Sequence, residues 1–157
     1  MQKIFIFGSN GMLGTYVSKL MKDSFTTISF TRKDYDINNL NEKDLKNLLI
    51  FNGKEIGINK GDIVINCAGI IPQSSNRRTI DKKMYYKVNA LFPIFLGNIC
   101  SEKKARLIHI TTDCVFSGKK GNYDENDSHD ETSDYGVSKS LGELCEGTII
   151  RTSIIGE

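Results

Sequence analysis

A tyrosine and a lysine four residues apart, Tyr135 and Lys139, carry the clearest chemical pattern in this 157-residue chain. Residues Asp134–Glu146 have the pattern of a helix, which places both side chains on one face. An ammonium near a phenol favours the phenolate and lowers the tyrosine pKa from about 10. Such a tyrosine can give a proton to a carbonyl oxygen as a hydride arrives, or take one from an alcohol. Thr112, just past a predicted strand, offers a hydroxyl to orient the same oxygen; an exposed helix face is the alternative for a lone YxxxK pair.

The segment Gly8–Gly14, GSNGMLG, is a glycine-rich turn with the spacing GxxGxxG. It follows the first predicted strand and opens the first predicted helix, which is the context that dinucleotide binding requires. Gly11 at the helix start lets backbone N–H groups approach a pyrophosphate, and the helix dipole favours that negative charge. The pattern favours dinucleotide binding over a turn without a ligand, and Lys139 could then hold the nicotinamide ribose.

The residues that end the second predicted strand bear on the choice between NAD and NADP. An acidic side chain there would bond the ribose hydroxyls, but the sequence has Thr31-Arg32-Lys33. Arg32 can bind a 2′-phosphate with two parallel hydrogen bonds, which favours NADP(H) and leaves NAD(H) as the second choice. Asp34 and Asp36 come late for the ribose role, and Asp36 is better placed near the adenine. The alternative is that Arg32 and Lys33 form a solvated loop.

Short apolar runs alternate with helical patterns along the chain. The predicted strands are Lys3–Phe7, Thr26–Thr31, Asp62–Asn66, Arg106–Thr111 and Thr148–Thr152. The predicted helices are Gly11–Lys22, Leu40–Phe51, Ile80–Ser101 and Asp134–Glu146. Repeated alternation with nearly all-apolar strands is typical of parallel strands joined by crossover helices. We therefore expect an α/β fold: a Rossmann-type doubly wound parallel sheet of about five strands, in the order 3-2-1-4-5, within three α/β/α layers.

Asn89 and Pro93 lie four residues apart inside the longest predicted helix. Because proline has no N–H, the Asn89 carbonyl loses its intrahelical partner and the helix should kink. A freed carbonyl beside an active site can hold a water, so we expect Asn89 to take part in a proton relay that reaches Lys139. The alternative is that the helix ends near Leu91 and restarts.

Composition excludes several classes of function. The net charge of +2 gives no strong field for nucleic acid or a membrane surface, and no apolar run approaches the length of a bilayer span. The apolar start of the chain breaks at Gly8, too early for a signal peptide. Neither His109 nor His129 has a metal-ligand partner at useful spacing, so no metal site is expected. Four scattered cysteines indicate reduced, mostly buried thiols in a cytoplasmic protein: Cys67, Cys100, Cys114 and Cys145.

Several segments together resemble one family, the extended short-chain dehydrogenases/reductases, and within it the dTDP-4-dehydrorhamnose reductase-like proteins. The matching segments are GSNGMLG (Gly8–Gly14), VINCAG (Val64–Gly69), VNALFP (Val88–Pro93), HITTDCVFSG (His109–Gly118), YGVSKSLGE (Tyr135–Glu143) and RTSIIG (Arg151–Gly156). They cover the chain from end to end in the order of the family.

The resemblance implies a catalytic set of Thr112, Tyr135 and Lys139, with a helical asparagine, here Asn89, in the relay. It implies cofactor contacts at Gly8, Asn10, Gly11, Met12, Leu13, Arg32, Asp36, Ile37, Ala68, Gly69 and Lys139. The implied reaction is NAD(P)H-dependent reduction of a 4-keto group on a deoxysugar nucleotide. Two alternatives stay open: a non-catalytic NAD(P)-binding module that regulates or scaffolds another protein, and a sugar-nucleotide epimerase or dehydratase.

The chain departs from the family pattern in two places. Family members continue past the RTS strand into a portion that grips the nucleotide sugar, so we expect residues 1–157 to be a truncated NAD(P)-binding domain without it. Cys114 stands where the family often has tyrosine, as a substrate contact or a small buried filler.

Arg77 and Arg78 could meet a diphosphate or could be a solvated pair. A homodimer could form through the two long helices, using Leu91, Ile94, Phe95 and Leu141.

Overall fold

The computed structural model describes residues 2–51, 57–72 and 81–153 of the chain. The strands are β1 (Lys3–Phe7), β2 (Thr26–Phe30), β3 (Ile63–Asn66), β4 (Arg106–Thr112) and β5 (Thr148–Thr152). The helices are α1 (Met12–Met21), α2 (Glu42–Phe51), α3 (Lys82–Tyr85), α4 (Phe92–Lys103) and α5 (Asp134–Gly142). A π-helical segment, Tyr86–Leu91, joins α3 to α4 without a break, and two short 3₁₀ turns are Ile37–Asn39 and Asp113–Val115. The predicted strands and helices are therefore present, with ends that differ by a few residues; Ile80 lies outside the described residues.

The five strands form one parallel sheet in the order β2-β1-β3-β4-β5. This confirms the doubly wound α/β fold but shows that the expected order 3-2-1-4-5 is wrong. The chain returns from β2 through α2 and pairs Ile63–Asn66 with β1, on the side away from β2. The physical reason is the burial of β2: its exposed positions suit an edge strand, whereas the expected order would place β2 inside the sheet.

Each face of the sheet carries its own apolar core. The larger core lies under α2 and α4, where Leu45 and Leu49 of α2 and Phe92 of α4 pack on Phe7 and neighbouring strand residues. The Phe7 and Phe92 rings meet edge to face with centroids 5.3 Å apart. The smaller core lies under α1 and is centred on β1 and β3, with the buried residues Ile4, Ile6 and Ile65. These helices hold the carboxyl ends of the strands in place, where ligands of such sheets bind.

The π-helical segment is the local response to Pro93. The Phe92 N–H bonds the carbonyl of Lys87, five residues back, instead of the usual four. The predicted disturbance is confirmed, but the helix neither ends near Leu91 nor restarts. It runs on as α4 to Lys103, where Lys104 adopts a left-handed conformation with φ 55°.

None of the helices in the described ranges is both long and apolar enough to cross a lipid bilayer.

Candidate active site

The glycine turn, Gly8–Gly14, lies at the point where the strand order reverses. β1 pairs with β2 on one side and with β3 on the other. The connection after β1 therefore runs toward one edge of the sheet, and the connection after β3 runs toward the opposite edge. The crevice between the two exits is the usual ligand site of an open parallel sheet. Gly8 after β1 and Ala68 after β3 face each other across it.

Close packing of the backbone explains the glycines of this turn. Gly8 has φ 73°, a conformation that favours glycine, and a Cβ on it would stand 2.8 Å from the backbone N of Ala68. A Cβ on Gly14 would stand 2.0 Å from the carbonyl oxygen of Gly8. The Gly11 N–H donates to the same oxygen at 2.9 Å. Three glycines therefore let α1 begin directly against the end of β1.

The start of α1 is left open for an anion. Gly11 is its N-cap and supplies no side-chain hydrogen bond, and the first turn holds no acidic residue. Asn10, Gly11, Met12 and Leu13 are all exposed. Free backbone N–H groups and the positive end of the helix dipole therefore face solvent in the crevice, as the predicted pyrophosphate contacts require.

The carboxyl end of β2 presents a cation and two carboxylates that each accept a hydrogen bond from a nearby backbone N–H. Arg32 is 72% exposed and its Nε lies 3.3 Å from Oδ1 of Asp36. The Asp36 carboxylate also caps the 3₁₀ turn by accepting from the Asn38 N–H. Asp34 accepts from the N–H and hydroxyl of Thr31, and these bonds hold the pKa of Asp34 below its usual value. Ile37 begins the 3₁₀ turn and packs against the larger core.

Two asparagines hold the chain that leaves β3, and the sequence analysis missed the first. Oδ1 of Asn66 accepts from the Ala68 N–H at 3.0 Å. Asn89 makes a two-way bond with Ile70: its Oδ1 accepts from the Ile70 N–H and its Nδ2 donates to the Ile70 carbonyl. Gly69 lies between these anchors. An asparagine at the end of a buried strand, in DIVIN, was the signal that could have identified Asn66.

Thr112 and Tyr135 come together as predicted. The Thr112 hydroxyl lies beside the phenol of Tyr135, and the Tyr85 ring meets the Tyr135 ring edge to face at 6.1 Å. The predicted lowering of the phenol pKa is wrong for this chain. Burial of Tyr135 is the largest influence and raises its pKa, while the nearby Thr112 hydroxyl opposes the rise. The phenol is therefore a protonated donor at neutral pH.

Lys139 lies one helical turn beyond Tyr135 and is nearly fully buried. Its Nζ occupies the space beside Gly69, 2.7 Å from where a Cβ would stand. Desolvation lowers its pKa to about 8, and the nearby Cys114 and Glu143 act in the opposite direction. No side chain in the described parts of the chain accepts a hydrogen bond from this ammonium. It faces the exit of β3, where a ribose bound at the glycine turn would extend.

The side-chain amide and the backbone carbonyl of Asn89 have different surroundings. Its side chain also donates to Oγ of Ser138, one residue before Lys139. Its backbone carbonyl oxygen would lie 2.0 Å from a Cβ on Gly142, so the carbonyl packs against α5. Asn89 is thus close to Lys139, but the carbonyl that proline frees is covered by Gly142.

Cys114 is exposed, so its interpretation as a small buried filler is wrong; Cys100 and Cys145 are buried and Cys67 is partly buried. The Cys114 N–H donates to the Thr112 hydroxyl, which places the thiol beside Tyr135 and Lys139. Arg77 and Arg78 lie outside the described residues.

The polar stretch Ser117–Thr132 is tied to the fold by Arg151. The Arg151 guanidinium binds both oxygens of Glu143 and lies 2.9 Å from Nε2 of His129. Its charge also lies over the Phe116 ring, 5.4 Å from the centroid. Through these contacts, His129 links the loop to β5 and α5.

Comparison with known proteins supplies a family. The family model described as RmlD substrate binding domain matches residues 1–155. Among curated proteins, the spore coat polysaccharide biosynthesis protein SpsK of Bacillus subtilis is 29% identical over 98% of this chain and 53% of its own length. The dTDP-4-dehydrorhamnose reductase of Mycobacterium tuberculosis strain H37Rv is 29% identical over 97% of this chain and 50% of its own length. The chain spans about half the length of the curated relatives it matches.

Solved structures agree with this similarity. The dTDP-4-dehydrorhamnose reductase of Clostridium acetobutylicum superposes with a TM-score of 0.78 at 29% identity, covering 97% of this chain and 53% of the other. The enzyme of the same name from Bacillus anthracis, solved in complex with NADP, has a TM-score of 0.77 at 25% identity over 96% and 53%.

Proposed function

The chain belongs to the RmlD substrate binding domain family, and we propose that it is the NADPH-binding and catalytic part of a reductase that acts on the 4-keto group of a deoxysugar nucleotide. The observation that carries the proposal is the placement of the Thr112 hydroxyl beside the Tyr135 phenol, one helical turn from the buried Lys139 ammonium. The dTDP-4-dehydrorhamnose reductases among the relatives indicate the class of substrate.

The described residues fit NADP(H) as the cofactor. The uncapped start of α1 suits a pyrophosphate, and the Lys139 ammonium suits the hydroxyls of the nicotinamide ribose. At the end of β2, Asp34 accepts from Thr31 and Asp36 accepts from Asn38, so one oxygen of each carboxylate is already engaged. The exposed Arg32 can instead bind a 2′-phosphate. NAD(H) would lose that charge-assisted contact and bind more weakly.

The chain's own residues then perform the proton half of the reduction. The bound cofactor supplies a hydride for the carbonyl carbon of the sugar. Tyr135, which burial keeps protonated, gives its phenolic proton to the carbonyl oxygen, so that the carbonyl becomes an alcohol. Thr112 orients the same oxygen through its hydroxyl. Lys139 holds the ribose and stabilises the negative charge left on the Tyr135 oxygen.

Asn89 positions the segments around Thr112, Tyr135 and Lys139 through its side-chain hydrogen bonds. Its amide fixes Ile70 and Ser138, and therefore both the β3 exit over which the cofactor would lie and the helix that carries Lys139. A proton that returns to Tyr135 through Lys139 would pass close to Asn89. The Asn89 side chain, not its carbonyl, is the group placed to take part.

A direct assay tests the proposal in two stages. NADPH and NADH are first titrated into the purified chain, with binding followed by nicotinamide fluorescence; tighter binding of NADPH is expected. A 4-keto-6-deoxy sugar nucleotide is then added and the loss of nicotinamide absorbance is followed, with Tyr135→Phe as the matched control. Tight NADPH binding without turnover, even in a full-length version of the protein, would favour a non-catalytic NAD(P)-binding module, and the absence of binding would overturn both functions.

A further inference from the structure

A buried polar cluster lies beneath Lys139, at the carboxyl ends of β3 and β4. Among the described residues, the buried polar or charged side chains other than Asp62 all belong to this region: Asn66, Asn89, His109, Thr111, Ser138 and Lys139. The roles given above use Asn89 and Lys139 and leave His109 unexplained. His109 is fully buried and lies directly opposite Asn66 in the sheet.

Asn66 determines which ring nitrogen of His109 carries the proton. Oδ1 of Asn66 accepts from the Ala68 N–H, so its other side-chain atom, Nδ2, is the donor to Nδ1 of His109 at 3.1 Å. A ring nitrogen that accepts a hydrogen bond has no proton of its own. Burial, reinforced by the charge of Lys139, lowers the pKa of His109 to about 3. The imidazole is therefore neutral at physiological pH and its proton is on Nε2.

Nε2 of His109 and Oγ1 of Thr111 form a pair of buried polar atoms. Both are fully buried, and neither has a hydrogen-bond partner among the described residues. The two residues are two apart on β4, so their side chains leave the same face of the sheet. A buried donor and a buried hydroxyl on one face of the same strand can share one internal water, which needs two to four polar partners.

We propose that His109 is a positioning residue for Lys139: its Nε2–H and the Thr111 hydroxyl hold an internal water that accepts a hydrogen bond from the lysine ammonium. In this arrangement the water accepts from Nε2–H of His109 and from Nζ–H of Lys139, and it donates to Oγ1 of Thr111. The inference rests on the proposed function only for the role of Lys139 as a catalytic residue.

The arrangement links the cofactor site to the lysine. Asn66 bonds Ala68 at the crevice on one side and His109 on the other, and the water continues this path to Lys139. Among the described residues, the other titratable groups near Lys139 are Cys114, after β4, Tyr135, on its own helix, and Glu143, at the C-terminal end of that helix. The internal water would supply the inner side of the ammonium with a hydrogen-bond acceptor that these groups do not replace.

The test is a titration of Lys139 in the free protein by NMR of ¹³C-labelled lysine, with its signal assigned from Lys139→Met. Thr111→Val removes one ligand of the water and His109→Phe removes the other. Each variant should lower the pKa of Lys139 by about half a unit or more, since a charged group loses one acceptor. His109→Gln, whose amide nitrogen can reach the position of Nε2, should restore most of the shift.

Matched controls separate this effect from a general loss of packing. Thr148→Val makes the same change at an exposed position on β5, and Ser18→Ala removes another buried hydroxyl without a partner, on α1. Neither should move the Lys139 signal. An unchanged Lys139 pKa in Thr111→Val overturns the proposal, as does a high-resolution crystal structure with no water between these atoms.

The same variants give an enzymatic readout that a merely structural role would not move. In a reductase assay, the alkaline limb of the pH profile of kcat should shift to lower pH in Thr111→Val and in His109→Phe. In His109→Gln it should lie near its original position. The NMR titration needs neither cofactor nor substrate. If no turnover is found while the pKa of Lys139 changes in the variants as expected, the result would therefore count against the proposed function alone.

Discussion

The glycine turn and the Tyr135 cluster, made of Thr112, Tyr135 and Lys139, lie at the same edge of the sheet but are built in opposite ways. The glycine turn is shaped by backbone atoms that approach so closely that a Cβ on Gly14 has no space. The Tyr135 cluster is shaped by side chains on β4 and α5, and one of them is a buried ammonium with no hydrogen-bond partner among the described residues. Substitutions in the glycine turn should therefore destabilise the fold, whereas substitutions in the Tyr135 cluster should lower only the activity.

The largest effect expected is on turnover, from Tyr135→Phe. Phenylalanine keeps the ring and its edge contact with Tyr85 but cannot donate a proton. Loss of a general acid lowers kcat by about 10³-fold, which is ~4 kcal/mol of activation free energy. The NADPH dissociation constant and the thermal midpoint should stay near those of the unchanged chain. A variant that turned over at the original rate would show that Tyr135 is not the acid.

Gly14→Ala should give the largest loss of stability. Its Cβ would stand 2.0 Å from the Gly8 carbonyl oxygen, so α1 must move away from β1, at a cost of about 3 kcal/mol. Urea unfolding and NADPH titration measure the two consequences. Gly118→Ala is the control: Gly118 has φ 80° but open space, and the change should cost about 1 kcal/mol and leave NADPH binding intact. Equal losses in both variants would contradict the packing explanation.

Lys139→Met should stabilise the chain while it removes activity. The pKa of Lys139 is lowered from 10.5 to about 8 in the folded chain. Between those pH values the unfolded chain binds more protons, so the free energy of unfolding rises with pH through this window. At pH 7 the charged, buried amine costs about 3 kcal/mol, which the methionine recovers. Urea unfolding at pH 7 and pH 10 measures this gain, which should shrink at the higher pH; a variant less stable at pH 7 would refute it.

Arg32→Ala should give the smallest effect and the most specific one. Arg32 is exposed and its pair with Asp36 adds little to stability, so unfolding should not change. The dissociation constant of NADPH should rise about tenfold, the value of one charge-assisted contact, while that of NADH stays constant. Lys33→Ala is the matched control. If both cofactors weakened equally, Arg32 would act on the fold or on a shared part of the cofactor.

The sequence predicted elements well where one local pattern decided them. The apolar run Lys3–Phe7 and the glycines after it predict both a strand and a tight start to the next helix, and both are present. The YxxxK spacing placed Tyr135 and Lys139 on one helix. Strand order was predicted wrongly, because pairing Ile63–Asn66 with β1 or with β2 satisfies the same apolar pattern. The expected cofactor and catalytic roles remain proposals.

Residue types and spacing by themselves determined the α/β alternation, the glycine turn and the presence of a phenol and an amine on one helical face. Only the tertiary structure decided the environment of each group. Burial of Tyr135 outweighs the expected effect of Lys139 on its pKa, and the Asn89 carbonyl is covered by Gly142. Asn66 and His109 meet across two strands that are far apart in sequence. Desolvation and hydrogen bonding depend on which distant segments pack together, and spacing along one chain carries no information about that.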